Sequence, residues 1–209
     1  MAVTPMFPLG SALLPGERLP LHVFEPRYLA LVDECVNRRE QPEFGVVLIS
    51  HGHEVGGGDQ RTDVGTLARI ISGYELPGGR RAIECVGTER IRVGEWLPDD
   101  PYPQAQVDVW PDERAELDPS VTAVVDGLVE QLRTLAAEAA ERTGGSEPGN
   151  PLEQLPDDPG QRAYALAARL PLGQADRYAL LAAPDPATRM SHLAEALEDL
   201  IAAVRFRLT

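Results

Sequence analysis

The sequence contains no lysine, because all 19 of its basic residues are arginine. A Walker A loop needs a lysine ammonium on the nucleotide phosphates, and Schiff-base chemistry or a serine–lysine dyad needs a lysine amine of lowered pKa. Arginine cannot supply the neutral amine, since its guanidinium does not deprotonate in proteins. The composition therefore excludes these reaction classes from the chain.

Serine motifs that would indicate a nucleophile are also missing. Ser146 lies in Gly144-Gly145-Ser146-Glu147-Pro148, where proline replaces the second glycine of a nucleophile elbow and the surroundings are typical of a linker. Ser191 and His192 are neighbours in a predicted helix, so their side chains diverge by about 100° and cannot form a nucleophile and base pair. We expect no catalytic residue and no enzyme activity.

Cysteine is scarce, and no residue pattern indicates a metal centre. Cys35 and Cys85 form no CxxC motif, so we expect two reduced, buried thiols. The best metal-like cluster is His51-Gly52-His53-Glu54 followed by Asp59, in a glycine-rich loop. A catalytic zinc site usually needs three protein ligands on stiff elements, so a solvated loop is favoured, and we expect no metal and no cofactor.

Basic charge and long apolar runs are lacking as well. The net charge is −14, with 11 arginines against 20 acidic residues in 1–118 and 8 against 13 in 119–209. Acidic halves repel phosphates, so the charge excludes DNA, disfavours RNA and disfavours anionic membranes. Apolar stretches such as 44–49 fall far below the roughly 18 residues that span a bilayer. The N-terminus has no basic residue before its apolar part, unlike a secretory signal, so we expect a cytoplasmic protein.

The first half of the chain has the composition and punctuation of strands. Pro77-Gly78-Gly79 predicts a hairpin turn, and Gly87 predicts a bulge or corner in the strand that follows. Such corners suit a small barrel. The predicted strands cover residues 5–9, 19–23, 44–49, 65–76, 80–96 and 103–110.

One helix interrupts these strands at about residues 26–39, with Pro26 at its first position. Phe24 and Tyr28 flank its start, and packing across the beginning of the helix is the simplest interpretation of the two aromatic rings. Its apolar stripe is predicted to contain Leu29, Val32 and Val36, with Leu31 and Cys35 beside it.

The second half changes to the helical period at Asp118, a predicted N-cap before proline. Helices are predicted at about 119–142, 160–169, 174–182 and 186–208, with Asp185 capping the last and a polar break at 144–150. We expect one domain over 1–116 and a helical bundle domain over 117–209. The first of these helices should bury Val121, Val124, Val125, Leu128, Leu132, Leu135 and Ala139, and the last should bury Met190, Leu193, Ala194, Leu197, Leu200, Ile201 and Val204.

Several sequence blocks follow one another along the chain. The most specific block is Leu19-Pro20-Leu21-His22-Val23-Phe24-Glu25-Pro26-Arg27-Tyr28, preceded by Met6-Phe7-Pro8-Leu9-Gly10. Later blocks include Gly87-Thr88-Glu89-Arg90-Ile91-Arg92-Val93 and Pro184-Asp185-Pro186-Ala187-Thr188-Arg189-Met190. In sequence and in order these blocks resemble the Lon N-terminal family, which is the substrate-binding region of Lon proteases. The likeness covers nearly the whole chain.

The resemblance implies an α+β fold, with a pseudouridine-synthase-and-archaeosine-transglycosylase-like (PUA-like) β barrel containing one inserted helix, followed by a C-terminal helical bundle. It implies a stand-alone, non-catalytic module that binds polypeptide, since the ATPase and peptidase modules of full Lon proteases need lysine. The expected partners are unfolded or tagged client proteins, or a protease or chaperone for which the chain is an adaptor, with weak self-association. The binding residues expected from these blocks and the nearby loop are Phe24, Arg27, Tyr28, His51 and His53.

The sequence leaves open alternative functions from other classes of protein. PUA-like barrels also occur in RNA-binding and small-ligand-binding proteins, and this alternative requires a basic patch or a ligand pocket. A hydrolase requires carboxylates, or His51 and His53, converging in a pocket. Membership of a larger assembly is a third possibility.

Overall fold

A computed structural model describes residues 2–51, 60–116, 118–146 and 149–208. The chain forms two compact units, Met1–Pro111 and Asp112–Thr209, which we name the sheet unit and the helical unit. Strands and the first helix lie in the sheet unit, and four helices form the helical unit. A mixed sheet with five helices agrees with the α+β class predicted from the sequence.

The sheet unit has six strands and one helix, in nearly the predicted positions. They are β1 (Ala2–Leu9), β2 (Arg18–Val23), α1 (Pro26–Arg38), β3 (Glu43–His51), β4 (Gln60–Leu76), β5 (Arg80–Leu97) and β6 (Gln104–Val109).

The strands lie in the order β2-β5-β4-β3-β1-β6, and β6 also pairs with β5. Strands β1 and β3 are parallel, whereas the other pairs are antiparallel. Because β6 pairs with both β1 and β5, the five strands β5, β4, β3, β1 and β6 close into a ring. Strand β2 is not part of this ring and pairs with residues 81–86 of β5.

Neighbouring residues of β1 and β3 are buried on opposite faces of the sheet. Met6 and Val47 belong to one apolar cluster with Ile91, whereas Phe7 and Val46 belong to a second cluster that contains the buried side of α1. Strands buried on both faces need continuous apolar sequence, and β1 is buried from Thr4 to Leu9.

Glycines make the turn and the corner that the sequence predicts. Gly78 and Gly79 have φ of 83° and 72° in the β4–β5 hairpin, a region that side chains disfavour. Gly87 lies where the β4–β5 register shifts, and a Cβ there would lie 2.4 Å from the carbonyl oxygen of Leu14. The amide of Gly87 donates to the carbonyl of Glu17 at 2.9 Å, so the residues before β2 lie against this corner.

Helix α1 buries a different stripe from the predicted one. Tyr28, Leu31, Val32 and Cys35 are its buried residues, at spacings of three and four, whereas Val36 is 50% exposed. The ring of Tyr28 stacks on Phe7 with centroids 3.9 Å apart, which centres the buried face on this tyrosine. The prediction that Val36 is buried is therefore wrong.

The helical unit contains α2 (Pro119–Thr143), α3 (Pro159–Arg169), α4 (Gln174–Ala182) and α5 (Pro186–Leu208). The predicted caps are present: Asp118 accepts from the amide of Ser120, and Asp185 accepts from the amide and hydroxyl of Thr188, each at 2.8 Å. Hydrogen bonds to these carboxylates lower the pKa of both aspartates. Gly144 ends α2 in the left-handed conformation.

Helix α5 contacts each of the other three helices and supplies the centre of the helical unit. Its buried residues include Met190, Leu193, Leu197 and Ile201, as predicted, and also Arg189, which is completely buried. In α2 the buried residues are Val125, Val129 and Leu132, whereas Val124 is 53% exposed. The predicted α2 stripe is thus displaced, since it contained Val124 and omitted Val129.

No helix within the described ranges has both the length and the apolar character that crossing a bilayer requires. The chain divides into its two compact units between residues 111 and 112, and the domain boundary at 116 and 117 stays a sequence-based prediction.

Candidate functional site

The residues predicted from the family-like block have different surroundings. Tyr28 is buried against Phe7, as core packing requires, whereas Phe24 is 56% exposed at the end of β2. Arg27 donates to Glu25 at 3.1 Å, and its guanidinium lies 4.6 Å from the centroid of the Tyr28 ring. Arg27 thus forms an ion pair with Glu25. Core packing is confirmed for Tyr28 and wrong for Phe24.

Phe24 and Tyr28 share one shallow depression of about 90 Å³, together with Phe7 and Leu21. His51 lies at the last position of β3, paired with Gln60, while its side chain and all of His53 are outside the described residues. A binding role for these five residues stays a prediction. Within the described ranges, no group of three or more histidine, cysteine, aspartate or glutamate residues is placed to hold a metal ion.

A larger apolar groove lies between α1 and the far end of β4. Its volume is about 300 Å³, and we name it the α1–β4 groove. Three of its lining residues are large apolar side chains open to solvent: Val36 (50% exposed), Ile71 (46%) and Tyr74 (66%). Val32 and Ile83 form its buried floor. Exposed apolar groups concentrated around one concavity are typical of binding surfaces.

The α1–β4 groove lies along a strand edge. Strand β3 pairs with β4 only as far as Arg69, after which the Ile70 amide donates to the Pro42 carbonyl at 2.9 Å. Strand β4 continues to Leu76 with β5 on one side. Within the described part of the chain, no strand lies on its other side over residues 71–76. This segment is named the β4 edge.

Charged groups surround the groove at its open side. Arg81 lies 2.7 Å from Asp33 and 3.7 Å from Glu75. The side chain of Glu75 is 84% exposed, that of Asp33 50% and that of Arg81 25%. One guanidinium between two carboxylates leaves this rim with a net negative charge.

The helical unit has its own cavity of about 440 Å³, lined by Val129, Leu132, Arg169 and neighbouring residues. It is the larger of the two, but its apolar lining differs from that of the groove. None of the large apolar residues that are exposed within the described ranges lines it, whereas three of them line the α1–β4 groove. In addition, Arg169 donates to the carbonyls of Pro151 and Glu153, so its guanidinium holds the neighbouring loop. The groove is therefore the stronger binding candidate.

Sequence reasoning missed the groove residues Val36, Ile71 and Tyr74. One signal was present, because the predicted strand over 65–76 is twice as long as its neighbour over 44–49. The structure keeps this difference, with 17 residues in β4 and 9 in β3. A strand that extends beyond its partner leaves an edge, but pairing of these two strands was not evident from sequence.

Two buried thiols lie in the sheet unit, as predicted. Cys35 and Cys85 are free and belong to the same apolar cluster, and the Cys35 thiol donates to the Glu43 carbonyl at 3.3 Å. Burial raises the pKa of each thiol from 9.0 to about 12. Both thiols therefore stay protonated in the folded protein near neutral pH.

We expect the native protein to react with Ellman's reagent at pH 8 at least about 100-fold more slowly than the unfolded protein, because only exposed thiolates react. Above the ordinary thiol pKa of 9.0, the unfolded state releases protons that the folded state keeps up to about 12. The free energy of unfolding should thus fall as the pH rises through this window. Cys35→Ala and Cys85→Ala assign the reactive thiol, and rapid native labelling at pH 8 contradicts the burial.

Comparison with known proteins agrees with these observations over most of the chain. The family model of the ATP-dependent protease La (LON) substrate-binding domain matches residues 3–199. Lon protease 2 of Myxococcus xanthus is 30% identical over 199 residues, which cover 93% of this chain and 23% of that protein. Lon protease of Anaeromyxobacter dehalogenans is 32% identical over 143 residues, covering 67% of this chain and 16% of that protein. The chain thus spans about a quarter or less of these relatives.

Solved structures show the same fold. The Lon N-terminal domain protein from Xanthomonas campestris superposes with a TM-score of 0.66 at 29% identity, covering 97% of this chain and 98% of that one. The N-terminal domain of the Mycobacterium avium complex Lon protease gives 0.64 at 19% identity, covering 95% and 99%, and this likeness concerns the fold alone. The family model, the relatives and the first of these structures agree, so the chain belongs to the Lon substrate-binding domain family.

Proposed function

We propose that this chain is a non-catalytic module that binds extended, apolar segments of other polypeptides in the α1–β4 groove. The observation that carries the proposal is the groove itself, in which Val36, Ile71 and Tyr74 expose apolar surface beside the β4 edge. Segments of this kind are buried in folded proteins and exposed in unfolded ones. A groove that takes them therefore distinguishes unfolded clients from folded proteins.

The absence of lysine supports a role without catalysis. The family model that matches this chain describes a substrate-binding domain, and the chemistry of a Ser-Lys peptidase or a Walker A ATPase needs an amine that this chain lacks. Binding without cleavage makes the chain an adaptor or a holder that passes clients to a protease or chaperone. Weak self-association belongs to the same proposal.

We further propose that the closed ring of β5, β4, β3, β1 and β6 is a PUA-like barrel. The corner at Gly87 and the shifts in register support this, since small barrels bend their strands at glycines and bulges. In this proposal the barrel is the rigid support on which α1 and the β4 edge are held. Phe24, Arg27, Tyr28, His51 and His53 would form a secondary contact.

RNA binding has less support. Residues 1–111 contain 10 arginines and 16 acidic residues, a balance of −6. In addition, the guanidinium groups of Arg90 and Arg92 lie 4.3 and 3.9 Å from the centroid of the Trp110 ring, so both cations are packed against an aromatic side chain. Six arginines of this unit also lie within 4 Å of a carboxylate: Arg18, Arg27, Arg38, Arg61, Arg69 and Arg81.

The proposal is tested with reduced, carbamidomethylated lysozyme as the unfolded client and native lysozyme as the folded control of closely similar composition. We expect the unfolded form alone to bind in biolayer interferometry. Val36→Asp should weaken this binding at least about tenfold, because an apolar segment would then bury an unpaired carboxylate. The Val36→Asp variant should keep the stability of the wild type, since changes at exposed positions usually stay within about 0.5 kcal/mol.

Val124→Asp is the matched control, because Val124 is also a helical valine about half exposed, and it lies in the helical unit. It should bind the unfolded client as the wild type does. Equal binding of native and unfolded lysozyme, or equal losses in the two aspartate variants, would overturn the proposal.

A further inference from the structure

We propose that the client segment adds to the sheet as an extra strand along the β4 edge, and that this site prefers segments carrying a basic residue next to an apolar one. The inference rests on the proposed function and specifies how the segment is held. It follows from the hydrogen-bonding direction of β4, the missing side chain of Gly73 and the charge of the groove rim.

The backbone hydrogen-bonding groups of β4 alternate in direction along the strand. In an antiparallel ladder, alternate residues bond to the partner strand and the residues between them point away. The Ile70 amide points to Pro42, away from β5, and Ile70 lies opposite Cys85. Ile83 and Arg81 lie two and four residues before Cys85 in β5, so the β4 residues opposite them have the same backbone orientation as Ile70. These residues are Gly73 and Glu75.

Gly73 and Glu75 therefore direct their amides and carbonyls towards the open side of the sheet. The register shift between Ile70 and Ser72 adds its extra residue to β4, so the alternation along β5 is unbroken. Two residues oriented in this way provide two donors and two acceptors about 7 Å apart. That spacing matches one extended segment.

The α1–β4 groove provides space beside these backbone groups. Gly73 lies on the sheet face covered by α1, because a Cβ at this position would approach Ile83 Cγ2 at 3.1 Å. Without a side chain here, the groove stays open between Ile83, Ile70 and Val36. An incoming strand placed at the β4 edge would put alternate side chains over this space. The groove, at about 300 Å³, holds at least one large apolar side chain.

Strand β2 does not offer an equivalent edge. Strand β2 pairs with β5 through residues 18–23, and Pro20 lies in its middle. Proline has no amide hydrogen, so it interrupts a ladder on the open side, a common protection of edge strands. Residues 71–76 contain no proline.

The charge of the groove rim favours a basic residue in the bound segment. The rim carries Asp33 and Glu75 against Arg81 alone, and the residues of the sheet unit sum to −6. An arginine or lysine of the segment next to its apolar residue would meet the exposed Glu75 carboxylate, whereas an acidic residue would be repelled. Because these carboxylates are solvated, the preference is modest and weakens with salt.

The test uses a fluorescein-labelled octapeptide of alternating leucine and threonine with an arginine at each end, measured by fluorescence polarisation. Two analogues carry N-methyl groups on alternate backbone amides, one on the odd positions and one on the even positions. One of the two should bind at least about tenfold more weakly than the parent, because methylation removes the donors facing β4, and the other should bind within about threefold. Replacing the arginines by glutamates should cost about fivefold at low salt.

Glu75→Gln should reduce this charge preference, whereas Glu89→Gln, an exposed glutamate of β5 outside the groove, should leave it unchanged. Equal binding of both N-methyl analogues and the parent overturns strand addition. Strand addition is also overturned if the parent peptide fails to bind while unfolded lysozyme still binds and Val36→Asp still weakens that binding. The proposed function stands in both cases. If neither the parent peptide nor unfolded lysozyme binds, the proposed function itself is overturned.

Discussion

Asp112→Ala is expected to lower the free energy of unfolding of the helical unit by about 3 kcal/mol, because it leaves a buried guanidinium without its counter-charge. Arg189 is completely buried, and both of its terminal nitrogens donate to the Asp112 carboxylate. Its Nε donates to the Leu180 carbonyl, and its guanidinium lies 4.1 Å from the centroid of the Tyr164 ring. Urea denaturation followed by circular dichroism measures the change, since four of the five helices lie in this unit.

Adding Arg189→Met to Asp112→Ala should restore at least half of the lost stability. The methionine fills much of the same apolar space and removes the uncompensated charge. Glu130→Ala is the matched control, because Glu130 pairs with Arg133 at 2.9 Å on the surface of α2, where such a pair contributes at most about 1 kcal/mol. Similar losses in Asp112→Ala and Glu130→Ala would contradict the role assigned to the buried pair.

Gly65→Ala is expected to destabilise the sheet unit by about 3 kcal/mol or more, the upper range for overpacking. A Cβ at this position would lie 2.2 Å from the Val46 carbonyl oxygen and 2.8 Å from Val47 Cγ1. The backbone of β3 would have to move, and β3 is bonded on both sides, to β1 and to β4. Tryptophan fluorescence in urea measures the change, because Trp96 and Trp110 are the only tryptophans and both lie in the sheet unit.

Gly127→Ala provides the opposite expectation at a glycine of α2. Nothing lies within 4 Å of a Cβ there, so alanine should stabilise the helix by about 0.5–1 kcal/mol through its higher helix propensity. The two substitutions add the same methyl group and should differ in sign. A stabilising or neutral Gly65→Ala would mean that β3 and β4 are not packed as described.

The elements of the fold were largely predictable because each has a local chemical cause. Asp118 and Asp185 cap helices through hydrogen bonds to residues two and three positions ahead, and the double glycine at 78 and 79 makes a turn within the hairpin. Such interactions join residues that are close in sequence. For this reason the bounds of α4 and α5 agree with the prediction, and the ends of β1 to β6 differ from it by five residues at most, at the start of β4.

Which face of each helix is buried was less predictable. Val36 and Val124 were placed in buried stripes, yet both are about half exposed. Apolar periodicity leaves the centre of a stripe uncertain when valines and leucines surround the helix. The stacking of Tyr28 on Phe7 decides it for α1, and packing against α5 decides it for α2. The α1–β4 groove was missed for this reason, since it depends on Val36 lying at the surface.

The sequence by itself determined the α+β class, the order of the elements, the helix caps, the buried thiols and the absence of lysine-dependent chemistry. It did so because composition, turn residues and caps act locally. Only the tertiary structure decided that β4 extends beyond β3, that Gly73 leaves space under α1 and that Arg189 is buried against Asp112, 77 positions away in the sequence. These features join residues far apart in the chain, and their free energy depends on which surfaces meet after folding.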